Sequence, residues 1–183
     1  MMRFFSFVVV AFFLFSCAEE RKEKKTLLGD FWKSEIERLN KEKPMVTKIS
    51  FVNGQSDTLH TNDIDWTKEL NVFLMNDLDS NQLINYTGVV TSDVVCAKDT
   101  TSPCDLYICD IFSANNPEER IQKIKIWSLK DMPTSIEIIV QKNHELFTQY
   151  KELVYSKKGF EISGSQNIKF IDGIDYKVKV TFQ

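Results

Sequence analysis

Hydrophobic and polar positions change period along this chain, and each change marks a different element. Phe4 to Phe15 is a run of twelve residues in which only Ser6 is polar, preceded by the basic Arg3. From Leu27 to Lys43 the apolar residues Leu28, Phe31, Trp32, Ile36 and Leu39 recur every three or four positions, which places them on one stripe of an amphipathic helix. Pro44 stops that helix. Met45 to Val52 and Gln55 to His60 flank Asn53-Gly54, the strongest two-residue hairpin signal because both positions tolerate positive φ. Asp65 reads as the N-cap of a second helix with Trp66, Leu70, Phe73, Leu74, Asp77 and Leu78 on its repeat, all but Asp77 facing the core.

Beyond Ser80 the period becomes alternating and stays so to the end. The pattern predicts strands over Leu83 to Cys96, Asp105 to Ser113, Arg120 to Leu129, Ser135 to Gln141, Glu145 to Tyr155, Phe160 to Gly164, Asn167 to Ile171 and Tyr176 to Phe182. In the last, Tyr176, Val178, Val180 and Phe182 alternate with Lys177, Lys179 and Thr181, giving one buried and one wet face. Its lysines suit a strand near a sheet edge. Connections such as Asp131 to Thr134 and Asp172-Gly173 are short, which favours an antiparallel meander over parallel units that need long crossovers. The expected fold class is α+β: two N-terminal helices packed on a curled antiparallel β-sheet, either a half-barrel or a barrel-like meander.

Composition narrows the class of protein. At 183 residues, 43% apolar and 27% charged, the chain fits a targeting segment and one folded domain. Residues 1 to 16 contain one basic group, so the remainder carries 22 Lys plus Arg against 26 Asp plus Glu, an acidic balance that argues against nucleic acid as partner. Met1-Met2-Arg3 followed by Phe4 to Phe15 has the form of a signal peptide. Twelve helical residues span ~18 Å, too short for the ~30 Å hydrocarbon core.

Leu14-Phe15-Ser16-Cys17 resembles the lipobox of bacterial lipoproteins, with Phe15 bulkier than the usual residue there. The resemblance implies export, cleavage between Ser16 and Cys17 and acylation of Cys17; two or more chains, each contributing ~0.8 kcal/mol per buried methylene, hold a protein on a membrane lastingly. The alternative is an ordinary signal peptide with an incidental cysteine. Residues 17 to 26 read as the lipidated cysteine and a solvated tether, and 27 to 183 as a single domain. Fully extended, residues 18 to 26 reach ~30 Å. The expected address is the bacterial cell envelope, on the outer membrane and facing the periplasm or the exterior. Cys17-Ala18-Glu19-Glu20 also resembles an acidic surface-export signal of Bacteroidota lipoproteins.

Chemistry is sparsely signalled. Of Cys96, Cys104 and Cys109, the first two bracket a loop between expected hairpin partners, so their β-carbons could meet in a disulfide. Closing so short a loop would contribute ~2.5 kcal/mol. Cys109 is left as a small buried residue, and the three lack the spacing of a zinc site. His60 and His144 fall near a hairpin end and in a turn, where solvation is the simplest reading. Gly164-Ser165 has no helix behind it and so is no nucleophile elbow. Asp77 and Asp79 lack the glycine and terminal glutamate of a calcium loop. The aromatic residues, among them Trp32, Trp66, Trp127, Tyr107 and Tyr155, are expected in the core, although a curled sheet could also enclose an apolar ligand. No catalytic, metal or cofactor residue is expected.

Phe31, Glu35-Ile36, Leu39, Pro44, Thr47-Lys48, Asn53-Gly54, Asp65-Trp66, Glu69-Leu70, Phe73 and Asp77 resemble the opening of an uncharacterised family of Bacteroidota lipoproteins. Asn143, Leu146-Phe147, Leu153, Tyr155, Phe160, Ile162, Gly164, Gln166 and Asp175-Tyr176 resemble its closing half, and Lys98 to Cys109 departs from it. That resemblance implies a class and no activity. The expectation is a non-enzymatic binding or accessory module, held to a membrane by lipid and acting on an envelope protein; the alternative is a carrier or sensor of a hydrophobic ligand.

Overall fold

The computed structural model describes residues 25–95 and 105–183. The expected signal peptide, with Ser16 and Cys17, most of the expected tether, and both Cys96 and Cys104 lie outside the described residues. The elements are α1 (Gly29–Glu42), β1 (Val46–Val52), β2 (Gln55–Thr61), α2 (Trp66–Leu74), a 3-10 turn (Gln82–Asn85), and then β3 (Tyr86–Val95), β4 (Asp105–Ala114), β5 (Ile121–Leu129), β6 (Met132–His144), β7 (Phe147–Ser156), β8 (Gly159–Ile168) and β9 (Ile171–Phe182). Among the described residues no helix is long and apolar enough to cross a membrane.

Local chemistry accounts for the boundaries. Lys43 adopts the left-handed conformation at the end of α1 and its N–H donates to the Leu39 carbonyl, leaving Pro44 to exit. Asn53 and Gly54 both have positive φ, at 45° and 87°, which is the type I′ geometry that joins β1 to β2. The Asp65 side chain accepts from the Lys68 N–H and caps α2.

The nine strands form one antiparallel sheet in the order β2-β1-β9-β8-β7-β6-β5-β4-β3. Phe112, Ile124, Ile138, Leu153, Ile162 and Val178 stand in one cross-strand row. Two positions along, Ile126, Ile136, Tyr155, Phe160, Val180 and Lys48 form the next. Both rows point to the same face, because side chains alternate with period two. The two helices cover that face. Lys48 reaches up to Glu69 on α2 at 2.7 Å, and the rings interlock edge to face: Trp32 on Tyr155 at 5.2 Å, Phe73 on Phe160 at 5.7 Å, Trp66 on Phe182 at 5.3 Å. Each such pair contributes about 0.5–1.5 kcal/mol beyond the area it buries.

Several expectations change. The sheet is open, with β2 and β3 as its two edges, so it forms no closed barrel. The hairpin between the helices joins the same sheet by pairing β1 with β9; the helices therefore do not simply precede the sheet. This pairing also moves β9 from the expected edge to the interior, and its lysines line the wet face instead. Helix α2 stops at Leu74, and Asp77, expected to face outward, is only 6% exposed. Its carboxylate accepts from the Leu28 and Leu78 N–H groups at 2.8 and 2.9 Å. The expected strands Phe160 to Gly164 and Asn167 to Ile171 are one strand, β8, with a register irregularity between Gln166 and Ile168. The turn lies at Lys169-Phe170, and Asp172-Gly173 falls inside β9. Lys25 and Thr26, expected in the tether, are tied to the domain: the Lys25 carbonyl accepts from the Ser80 N–H and Thr26 bridges Asp79.

Candidate functional site

The face away from the helices carries the arrangement best suited to holding a ligand. Thr91, Cys109, Trp127 and Ser135 lie in one row across β3 to β6, and Asp93 pairs with Tyr107 one step along. Between Trp127 and Ser128 the register slips, so that Ser135 faces Trp127 while Pro133 faces Ser128. Thr134 is the extra residue of this bulge, and its hydroxyl donates to the Trp127 carbonyl at 3.0 Å. Bulges re-aim side chains, and here Thr134 joins Asp93, Tyr107, Trp127 and Ser135 around a hollow of about 320 Å³. Two rings, one carboxylate and three hydroxyls, that of Tyr107 included, thus converge on one space.

Cys109 lies in that row, fully buried and in its free thiol form. Burial pushes its thiol pKa up, against a hydrogen bond with Thr91 that draws it down. It is therefore a packing residue with little thiolate. A second hollow on the same face, about 270 Å³, is lined by Val154, Ser156, Phe160, Glu161 and Lys179 among others, and the ring of Phe160 packs on Phe73 in the helix layer at 5.7 Å.

The remaining sequence-predicted residues fall elsewhere. Ser16, Cys17, Cys96 and Cys104 lie outside the described residues. The β3–β4 ladder ends with Val95 opposite Asp105, the residues adjoining Cys96 and Cys104. His60 is exposed on β2 with its Nδ1 3.0 Å from the Thr47 hydroxyl. His144 is exposed at the end of β6, stacked on Phe147 at 5.3 Å. Gly164-Ser165 sits inside β8, with no turn to lift the serine. Among the described residues no three His, Cys, Asp or Glu side chains gather as a metal site.

A buried charge cluster escaped the sequence reading. Glu35 is 2% exposed beneath α1. Its carboxylate accepts from Tyr155 on β7, from Arg38 one turn along, and from Lys157 at 2.8 Å in the β7–β8 turn. Burial alone would push the carboxyl up, but the hydrogen bonds from Arg38, Lys157 and Tyr155 outweigh it and hold the pKa at about 2. Burial and the Glu35 bond in turn raise Tyr155 far above the ordinary phenol range, so neither group exchanges protons near neutrality. The cluster is a latch between helix and sheet. Its signal was present in the sequence: Leu28, Trp32, Glu35 and Leu39 share a stripe, and a carboxylate on a buried stripe demands partners.

Neither protein-family models, nor curated proteins, nor solved structures yield a match to this chain.

Proposed function

We propose that this chain is a lipid-anchored, non-enzymatic binding module of a bacterial cell envelope, a lipoprotein of the Bacteroidota type, exported behind residues 1–16 and acylated at Cys17. The ligand site is the hollow walled by Trp127 and Tyr107. One observation carries this reading: the helix-covered face is filled by Trp32, Trp66, Phe73 and Tyr155, each below 2% exposure, whereas the opposite face keeps an aromatic-walled hollow of about 320 Å³ with Asp93, Thr134 and Ser135 at its margin. An aromatic face takes the C–H side of a sugar ring or another flat, partly apolar group, and the carboxylate and hydroxyls take its polar edge. The size lies at the small end of ligand pockets, which suits one or two rings. A hydrophobic ligand stored between helices and sheet is disfavoured by the ring packing there.

The test has two parts. Metabolic labelling with a fatty-acid analogue should mark the wild-type protein and leave Cys17→Ala unmarked; equal labelling of both refutes the anchor. Isothermal titration calorimetry of the purified protein with a panel of mono- and oligosaccharides should show saturable binding that Trp127→Ala weakens by about tenfold, the ~1.4 kcal/mol that a stacked ring and its buried area can supply. A stoichiometric co-purifying lipid, detected by mass spectrometry and unaffected by Trp127→Ala, would replace this reading with that of a hydrophobic-ligand carrier.

A further inference from the structure

Exposed apolar side chains occur over much of the sheet, from Leu59 on β2 to Val90 on β3 and Met132 at the start of β6, and the most exposed of them, Phe170, stands on a projecting tip. Strands β1, β6 and β8 run in the same direction in the sheet, so the turns at Asn53-Gly54, Glu145-Leu146 and Lys169-Phe170 all lie at one end. Phe170 is 92% exposed, Ile171 67% and Leu146 58%. The β6–β7 hairpin overhangs the start of β5 by four residues, from Val140 opposite Ile121 to His144, or about 13 Å. The β8–β9 hairpin similarly overhangs the end of β1, where Val52 pairs with Tyr176, by five residues or about 16 Å. The two tips are joined by a hydrogen bond from the Lys169 N–H to the Leu146 carbonyl at 2.8 Å, so Leu146 and Phe170 form one projecting patch. Phe170 also has a φ of 71°, a left-handed conformation that is an outlier for a bulky side chain. Strain of this kind, kept at an exposed aromatic residue, points to a use for it.

The described chain begins at the same end. Lys25 and Leu27 bond to Ser80 and Leu78. This segment leads into β3 at Tyr86, opposite Ala114 at the tip-side end of β4. Arg120, in the β4–β5 connection at that end, donates to Asn76 and to the Met75 carbonyl, and its own carbonyl accepts from the Gln141 N–H, where β6 begins its overhang. Cys17 precedes Lys25 by eight residues, at most about 26–29 Å of extended chain, which exceeds the projection of the tips.

We infer that the Leu146–Phe170 patch docks in the interfacial layer of the membrane that holds the lipid, so that the domain stands tips-down with its helices and its Trp127 hollow held at a fixed orientation. This rests on the lipid anchor proposed at Cys17. The anchor supplies nearness and the tips supply orientation: Phe170 and Leu146 enter the headgroup and acyl boundary, while the Lys169 ammonium, 5.5 Å from the Phe170 ring, remains at the polar surface. The tip carries both signs of charge, with Lys142 and Lys169 beside Glu145 and Asp172, so a zwitterionic phospholipid surface is the stated partner.

The test uses the full lipidated chain on phosphatidylcholine vesicles. Phe170→Trp, and separately Leu146→Trp, each add an indole at the tip; Trp32 and Trp66 are buried and Trp127 lies near the far end of β5, so the difference from the parent reports the tip. Blue-shifted added emission, quenched by lipids brominated on their acyl chains, is the expected result for both variants. Water-like, unquenched emission from protein that sediments with the vesicles overturns the docking and leaves the anchor standing. A parent protein that carries no lipid label and stays in the supernatant overturns the anchor and the docking with it. Blue-shifted but unquenched emission, with cross-linking to twice the mass, assigns the patch to a second copy of this chain and overturns the membrane as its partner.

Discussion

Replacing Glu35 by glutamine keeps the shape of a buried side chain and deletes its charge. In the wild type that charge is held by Arg38, Lys157 and Tyr155, and the carboxyl pKa falls from 4.5 to about 2. At 1.36 kcal/mol per pKa unit, the depression corresponds to about 3 kcal/mol of folding stability. This contribution is fully present above about pH 4.5, declines as the unfolded carboxyl takes up its proton, and is gone once the pH has fallen through the folded value near 2. By pH 3 about 2 kcal/mol of it is lost. Glu35→Gln should therefore lower stability by about 3 kcal/mol at pH 7, at the low end for breaking a buried ion pair. The cost stays at that end because Arg38 keeps Glu42 as a partner and Lys157 lies over the Phe31 ring. Urea unfolding at pH 7 and pH 3, monitored by circular dichroism, measures both quantities. Other carboxylates titrate in both proteins, so the difference between them isolates Glu35. A loss under about 1 kcal/mol at pH 7, or a gap between variant and wild type that stays constant from pH 7 to pH 3, would refute the latch.

Gly159→Ala should destabilise the protein strongly, because Gly159 has a φ of 144° and an added Cβ would stand 2.0 Å from the Val180 carbonyl oxygen. A loss of about 2 kcal/mol or more in urea unfolding is expected, and an unchanged midpoint would show that β8 and β9 do not meet as described. With Cys17 acylated as proposed, thiol counting should find no reactive thiol in the native state, one on unfolding as Cys109 is exposed, and three after reduction. Three on unfolding alone would eliminate the expected Cys96–Cys104 disulfide, and one in the native state would contradict the burial of Cys109.

The sequence by itself determined most of the local structure. The three-to-four-residue stripe, Pro44, Asn53-Gly54 and Asp65 state where α1 ends, where β1 turns into β2 and where α2 starts, since each acts through backbone geometry within a few residues. Alternation likewise marked the strands, with errors where a single residue decides: Phe170, a poor turn residue by composition, makes the β8–β9 turn, while Asp172-Gly173 falls inside β9 at its register irregularity with β8. The resemblance of Leu14-Phe15-Ser16-Cys17 to a lipobox is likewise read from the sequence alone, as a linear pattern.

Only the tertiary structure decided what depends on distant partners. Whether β9 is an edge or an interior strand turned on β1 returning to pair with it from more than a hundred residues away. Whether Glu35 and Asp77 are wet or buried turned on Tyr155, Lys157 and Leu28 reaching them across the fold. The Trp127 hollow needs four strands in register and a bulge at Thr134. The clustering of Leu146 and Phe170 needs two hairpins to project at the end where the described chain begins. Periodicity records which face a residue occupies, and carries no record of which strands lie beside it.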